Sequence, residues 1–221
     1  MILPHFSLGC QRVGLSCLIA HNLTCIKRDR VLFDSLSFSV DKAEILHLQG
    51  PNGAGKTSLL RILTGLAEPA GGDVTWGGES VVKHPMAFQH QLQYFGHKLG
   101  VNLCLNPLEN LQYWCQIQGI ETNENLYALL DALGLVGLEE LACRQLSAGQ
   151  QRRVALARLW LKPAALWVLD EPFTALDRKG IMLLKQKITS HLQSGGSVVM
   201  TSHQQLDMDY PVKDLHLEYR L

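Results

Sequence analysis

The spacing of hydrophobic residues changes along the chain from a strand period to a helix period and back, which predicts an α/β fold. Residues 18–26 and 31–40 are rich in β-branched and aromatic side chains, and 31–40 alternates imperfectly, as half-buried strands do. The runs ALWVLD (165–170) and SVVMTS (197–202) are short and almost continuously apolar, which is typical of buried parallel strands. Further strands are predicted in GGDVTWGGESV as a hairpin, in QLQYF (91–95), and near the end in DLHLEYRL.

Helical spacing governs the segment from about residue 100 to 145, where PLENLQYWCQIQ and TNENLYALLDALGL show little strand character. Pro107 and Thr122 stand where these helices are expected to begin. Another helix is predicted after the capping residue Asp177, with one apolar face along 181–192. The pattern therefore predicts a small helical subdomain inserted into an α/β domain.

Composition favours a single globular domain at 18–221, preceded by an extension at 1–17. The chain has 221 residues, of which 47% are hydrophobic and 18% charged. The formal net charge of zero argues against a nucleic-acid partner. Six cysteines without a C-x-x-C pair suit a reducing cytoplasm rather than a disulfide or zinc framework. No apolar run approaches the ~20 residues of a membrane-spanning helix. The stretch 12–20 loosely resembles a signal sequence, but it continues directly into the first strand.

The octet GPNGAGKT at 50–57 matches the phosphate-binding pattern G-x-x-x-x-G-K-[ST]. Its glycines allow backbone N–H groups to surround a polyphosphate, and the positive end of the following helix faces the same anion. Lys56 is expected to reach the β- and γ-phosphates, and the Thr57 hydroxyl to bind Mg²⁺. Because a buried strand precedes the loop and a helix follows it, a chance match is disfavoured. The predicted ATP contacts are Gly50, Pro51, Asn52, Gly53, Ala54, Gly55, Lys56, Thr57 and Ser58.

Two carboxylates end the apolar run LWVLDEP. Asp170 is expected to lie beside Thr57 and to hold Mg²⁺ directly or through water. Glu171 is then placed to orient or deprotonate the water that attacks the γ-phosphate, and such assistance contributes about 10²- to 10⁴-fold. An acidic pair that merely caps a strand is the alternative, and the phosphate loop upstream makes it the weaker one.

The segment LSAGQQRRVALARLWL at 146–161 resembles the signature motif of ATP-binding cassette (ABC) proteins, with Ala148 in place of the usual glycine. Ser147 is expected to cap the following helix. In that family, the surface formed here by Ser147, Ala148, Gly149 and Gln150 binds the γ-phosphate of ATP held by another subunit. The resemblance therefore implies an ABC-type P-loop NTPase fold and a dimer of two copies with two ATP molecules between them.

Two shorter motifs follow in the order that this resemblance implies. TALD looks like the family's D-loop and places Asp177 at the subunit interface. TSH supplies His203, which resembles the histidine that contacts the γ-phosphate. His47, in the apolar run before the phosphate loop, is instead expected to be a hydrogen-bonded core residue.

The chain departs from the common ABC pattern at two positions. The family usually places an aromatic residue for adenine around Lys27 or Arg28, and none stands there. An arginine plane is a weaker substitute. The glutamine that senses Mg²⁺ and contacts the transport subunits is expected after QYF, where GHKLG instead supplies His97. A neutral imidazole accepts a hydrogen bond from metal-bound water and a protonated one does not, so acidic pH is expected to weaken this coupling.

The chain resembles the CcmA family, the ATP-binding subunits of cytochrome c maturation, in three places. These are the GH at this position, ARLWL after the signature, and LWVLDEPFTALD. This resemblance implies an ATPase that drives haem export or release of a haem chaperone. It also implies separate polytopic membrane subunits and peripheral attachment to the cytoplasmic face of the bacterial inner membrane. ATP and Mg²⁺ are the expected cofactors, and no motif here indicates direct haem contact.

Three alternatives stay open at this point. The chain could serve another exporter, for lipoprotein or lipid, with identical catalysis. A soluble ABC ATPase acting on ribosomes or DNA is disfavoured by the single cassette and zero net charge, and a regulator without turnover by the presence of both Glu171 and His203. Candidate contacts with membrane subunits lie in the helical segment, although apolar residues at this spacing are more often core. They are Leu105, Leu108, Leu111, Tyr113 and Trp114.

Overall fold

The computed structural model describes residues 17–121, 125–202 and 206–219. Its strands are β1 (Leu18–Lys27), β2 (Arg30–Val40), β3 (Ile45–Gln49), β4 (Gly71–Trp76), β5 (Glu79–Ser80), β6 (Leu92–Phe95), β7 (Leu166–Leu169), β8 (Ser197–Thr201) and β9 (Val212–His216). Its helices are α1 (Lys56–Leu63), α2 (Pro85–Gln91), α3 (Pro107–Gln118), α4 (Leu126–Ala132), α5 (Ala148–Leu156), α6 (Arg158–Leu161) and α7 (Arg178–Gln193), with a 3-10 turn at Cys143–Gln145.

A parallel sheet with strand order β6-β7-β8-β3-β9 forms the centre of the fold. Every residue of β7 and β8 is buried, which explains their continuous apolar sequences and confirms the prediction from ALWVLD and SVVMTS. Because parallel strands end at the same edge of the sheet, the residues that follow β3, β7 and β8 converge there. His47, within β3, is buried and hydrogen-bonded to Asp214, as predicted.

An antiparallel sheet of order β2-β1-β4-β5 packs over one face of this centre. The β1–β2 pair runs from Leu18 opposite Val40 to Lys27 opposite Arg30, and its turn places Arg28 and Asp29 at positive φ. Helix α1 lies in the shared core, where Leu59, Leu60 and Leu63 pack with residues of both sheets. The buried face of α1 therefore anchors the loop that precedes it.

Helices α3 and α4 belong to a second hydrophobic cluster, which also takes in Val154 of α5. Helix α3 begins at Pro107 as predicted, with an Asn106–Glu109 capping box. Asn125 caps α4, and Thr122 lies outside the described residues.

Of the five candidate contacts with membrane subunits, two are core residues, which is the alternative that their helical spacing favoured. Leu108 and Leu111 are buried in this cluster, so only the more exposed members of the set, such as Tyr113, are available to a partner.

Two local features differ from the predictions. A short helix, α2, precedes β6, so the predicted strand at 91–95 begins at Leu92; Phe88 of α2 packs on Trp76, with ring centroids 6.1 Å apart. The last strand begins at Val212 and ends at His216, earlier than predicted. Among the described residues, no helix combines the length and apolar character that crossing a membrane requires.

Candidate functional site

The loop between β3 and α1 has a backbone that only glycine adopts without strain at its key positions. Gly50 and Gly55 have φ angles of 143° and 102°. A Cβ at Gly50 would also collide with the carbonyl oxygen of Leu217, because the chain after β9 runs alongside the loop. The Leu217 N–H donates to the Gln49 carbonyl at 2.9 Å, which fixes this contact.

Lys56, the first residue of α1, turns its ammonium group into the loop. Its side chain is mostly buried, and Nζ donates to the carbonyl oxygens of Gly50 at 2.5 Å and Pro51 at 3.2 Å. A positive charge at the positive end of a helix, inside a ring of backbone groups, suits an anion with several oxygens.

Asp170 follows β7 and lies beside Thr57, as predicted. The Thr57 hydroxyl donates to Asp170 Oδ2 at 3.1 Å, and the Thr201 hydroxyl donates to Oδ1 at 2.8 Å. Asp170 is 4% exposed, so its carboxylate is held by these bonds rather than by water. A carboxylate and a hydroxyl are the hard oxygen donors that Mg²⁺ prefers when substrate phosphates and water complete its coordination. The described residues contain no cluster of three or more His, Cys, Asp or Glu that would form an all-protein metal site.

Glu171 adopts a left-handed backbone conformation, with φ of 50°. Its N–H donates to Thr201 Oγ1 at 2.8 Å, and its carbonyl accepts a bond from the Arg152 guanidinium. Such a conformation costs about 1–3 kcal/mol and persists where neighbours hold it. Thr201 and Arg152 are those neighbours, and they hold the Glu171 backbone in this conformation.

A cleft of about 280 Å³ joins the phosphate loop to Glu171. Six of the nine predicted ATP contacts line it, together with residues of the β1–β2 pair. The lining residues are Lys27, Leu32, Asn52, Gly53, Gly55, Lys56, Thr57, Ser58 and Glu171. Gly50, Pro51 and Ala54 shape the loop from outside this lining.

The predicted signature residues lie outside this cleft. Ser147 caps α5, as predicted, and forms a capping box: its Oγ accepts from the Gln150 N–H at 3.2 Å, and Gln150 Oε1 accepts from the Ser147 N–H at 2.8 Å. Ala148 is exposed, whereas a Cβ at Gly149 would lie 2.6 Å from the Ala175 carbonyl oxygen. Packing therefore requires a glycine at position 149, whereas position 148 accommodates an alanine.

Asp177 connects this helix to the segment after Glu171. Its Oδ2 lies 2.7 Å from Arg153 Nη2, and its Oδ1 accepts from the Gly180 N–H at 2.8 Å as the N-cap of α7. The Gly180 N–H and Arg153 together lower the pKa of Asp177 below its ordinary value. Arg153 also donates to the carbonyl of Leu133, at the end of α4.

His97 is exposed in a bend after β6, and Arg158 anchors the next residues by donating to the carbonyls of Leu99 at 3.0 Å and Gly100 at 2.7 Å. His203 lies outside the described residues; the Ser202 carbonyl before it is 3.4 Å from His47 Nε2.

Three contributors to the site were missed from the sequence. Thr201 and Arg152 stand inside the TSH and signature motifs, but nothing in those motifs shows that they hold Asp170 and Glu171. Tyr219 lies beside Gly53, although it follows the phosphate loop by more than 160 residues.

Comparison with known proteins agrees with this geometry. The family model described as ABC transporter matches residues 33–174. A protein named cytochrome c biogenesis ATP-binding export protein CcmA from Yersinia pestis is 48% identical over 189 residues, covering 86% of this chain and 87% of its own length. The protein of the same name from Idiomarina loihiensis is 48% identical over 204 residues, covering 92% and 93%.

Two solved structures share the fold. The ATP binding subunit of an ABC transporter aligns with a TM-score of 0.77 at 24% identity, over 85% of this chain and 80% of its own. A putative ABC transporter ATP-binding protein from Pyrococcus furiosus aligns with a TM-score of 0.75 at 24% identity, over 91% and 98%.

Proposed function

The chain belongs to the ABC transporter family, within the CcmA group of cytochrome c biogenesis ATP-binding proteins, and we propose that it is the ATP-hydrolysing subunit of such a transporter. The observation that carries the proposal is the meeting of Thr57, Asp170 and Glu171 at one edge of the sheet, beside a glycine loop. Nucleotide binding alone would not require Glu171 to be held in a strained conformation.

The chemistry follows from these positions. Lys56 and the loop N–H groups bind the phosphate oxygens, while Thr57 and Asp170 would hold Mg²⁺. When bound, Mg²⁺ supplies charge neutralisation on the β- and γ-phosphates. Glu171 orients the attacking water and accepts its proton, and we assign the γ-phosphate contact to His203. Apart from this proton transfer, the residues act by position and charge.

The signature residues, which stand apart from the chain's own cleft, serve the cleft of a second copy in our proposal. Ser147 and its neighbours stand at the positive end of α5, exposed to solvent, where an anion from another molecule is stabilised. Asp177 would lie at the same interface. Two copies would thus enclose two ATP molecules and separate after hydrolysis.

Membrane partners follow from the relatives, which are named as export proteins of cytochrome c biogenesis. We propose that residues 18–221 form the ATPase domain and that the helical subdomain at about 100–145, with the His97 bend, docks separate polytopic subunits. This would hold the chain at the cytoplasmic face of the inner membrane. The transported or released cargo in this proposal is haem or a haem-chaperone complex, contacted by the partners rather than by this chain.

Affinity purification tests the proposal. A tagged Glu171→Gln variant, purified from native membranes with ATP, is expected to bring down polytopic cytochrome c maturation subunits, identified by mass spectrometry. A tagged Lys56→Met variant, which we expect to lose ATP binding, serves as the control for ATP-dependent association. Recovery of a different permease would contradict the cytochrome c assignment, and recovery of soluble partners alone would contradict the transport role.

A further inference from the structure

The segment that follows β9 brings an aromatic ring to the phosphate loop. A Cβ built at Gly53 would lie 3.4 Å from Cε2 of Tyr219, so the ring borders the loop directly. The guanidinium of Arg30, at the start of β2, covers the ring with its Cζ 3.8 Å from the centroid. Tyr219 is nevertheless 50% exposed, so part of its surface is available to another planar group.

The strand order indicates which end of a nucleotide approaches this ring. In the order β7-β8-β3-β9, the strand that carries Asp170 and Glu171 lies on one side of β3, and the strand that leads to Tyr219 lies on the other. A nucleotide in the cleft whose γ-phosphate lies at Asp170 and Glu171 directs its base toward the β1–β2 pair, whose Arg30 contacts Tyr219. Tyr219 borders the cleft at Gly53 and does not itself line it. Lys27 and Leu32 of that β1–β2 pair line the cleft.

We propose that Tyr219, backed by Arg30, is the platform on which the adenine base stacks. This inference rests on the proposed ATPase function and supplies the aromatic group that residues 27 and 28 lack. Stacking uses the π-face that every base has, so the platform distinguishes a nucleotide from a bare polyphosphate more strongly than it distinguishes one purine from another. The Arg30 guanidinium adds a cation–π contact that orients the ring.

Titration calorimetry with ATP and with inorganic tripolyphosphate tests this role in the full-length protein. Tyr219→Ala is expected to weaken ATP binding about ten-fold or more, since base–aromatic stacking contributes that much in other proteins, and to leave tripolyphosphate binding unchanged. Tyr219→Phe keeps the ring and is expected to bind ATP like the wild type. Tyr219→Leu keeps apolar bulk without the ring, and its ATP affinity is expected to fall as much as that of Tyr219→Ala. The leucine variant therefore tests the ring even if the alanine variant folds poorly. Tyr127→Ala, which changes a similarly exposed tyrosine on α4, is the matched control.

The binding measurements can contradict the stacking role of Tyr219 without contradicting the proposed ATPase function. Equal ATP affinity in Tyr219→Leu and wild type overturns the platform, while continued ATP hydrolysis leaves the proposed function intact. Parallel losses of ATP and tripolyphosphate affinity show that Tyr219 only shapes the loop, which also overturns it. Failure of the wild-type protein to bind ATP at all would refute the proposed function itself.

Discussion

Replacing Thr201 with valine removes one hydroxyl that bonds to both the Asp170 carboxylate and the Glu171 backbone. Thr201 is fully buried at the end of β8; its Oγ1 donates to Asp170 Oδ1 and accepts from the Glu171 N–H, both at 2.8 Å. Valine has nearly the same shape, so the substitution leaves the two partners in place and deletes only the bonds.

The expected loss follows from those two bonds. A hydrogen bond to a charged group contributes about 1.5–3 kcal/mol, and about 1.4 kcal/mol corresponds to a tenfold change in rate. Thr201→Val should therefore lower kcat for ATP about 10- to 100-fold, the range found when partners of metal ligands are removed. The Mg²⁺ concentration for half-maximal rate should rise, because the Asp170 carboxylate then keeps its bond to Thr57 and loses the one to Thr201. Loss of the bond to the Glu171 N–H should also lower Tm by a few degrees, at roughly 2–4 °C per kcal/mol for a chain of this length.

Steady-state ATPase measurements across a Mg²⁺ titration, together with thermal unfolding, check this expectation. Thr64→Val is the matched control, since Thr64 is equally buried but its hydroxyl bonds only to the helix carbonyls of Leu60 and Arg61. Thr201→Ser keeps the hydroxyl and should retain most activity. A Thr201→Val protein with lowered Tm but wild-type kcat and Mg²⁺ dependence would refute the reasoning, because the hydroxyl would then serve only stability.

Three further predictions concern the catalytic base, the packing of Gly149 and a partly buried histidine. Glu171→Gln should nearly abolish hydrolysis and retain ATP binding in a filter assay; unchanged turnover would contradict the assigned base. Gly149→Ala should lower both Tm and ATPase activity because its Cβ would meet the Ala175 carbonyl at 2.6 Å, whereas Gly at the exposed Ala148 should change little. Burial lowers the pKa of His191 from 6.5 to about 4, so the unfolded state binds more protons in that window and stability falls as the pH drops through it. Between pH 7.5 and 5.0 the loss should be about 2 kcal/mol in urea unfolding, and a His191→Gln variant should lack this part of the pH dependence.

Residues whose role depends on local sequence were predictable. Asn106, Ser147 and Asp177 all cap helices in the structure, and the latter two were foreseen, because capping depends on residues three positions apart. The pairing of Thr57 with Asp170 was also foreseen, since two strands of one parallel sheet end at the same edge.

Contacts between residues that are far apart in the sequence could not be predicted in this way. Arg152 bonds to the backbone carbonyl of Glu171, which carries no side-chain signal. Tyr219 reaches Gly53 only because β9 pairs with β3, and its position in the sequence gives no hint of that pairing. Helix α2 was missed because its seven residues provide a single buried position, Phe88, and thus no period.

The signature helix is tied to the catalytic strand by bonds that a rigid shift of α5 would change together. Arg152 bonds to the Glu171 carbonyl on one side of α5, while Arg153 bonds to both the Leu133 carbonyl and Asp177 on another. Displacing α5 toward a second copy would therefore pull on the backbone of Glu171 and on the N-cap of α7 at once. Because Glu171 holds a strained φ that its neighbours maintain, we expect a displacement of α5 to change the direction of its carboxylate. In the proposed ATPase, one connected set of hydrogen bonds thus links the position of the helical subdomain to the orientation of the catalytic base.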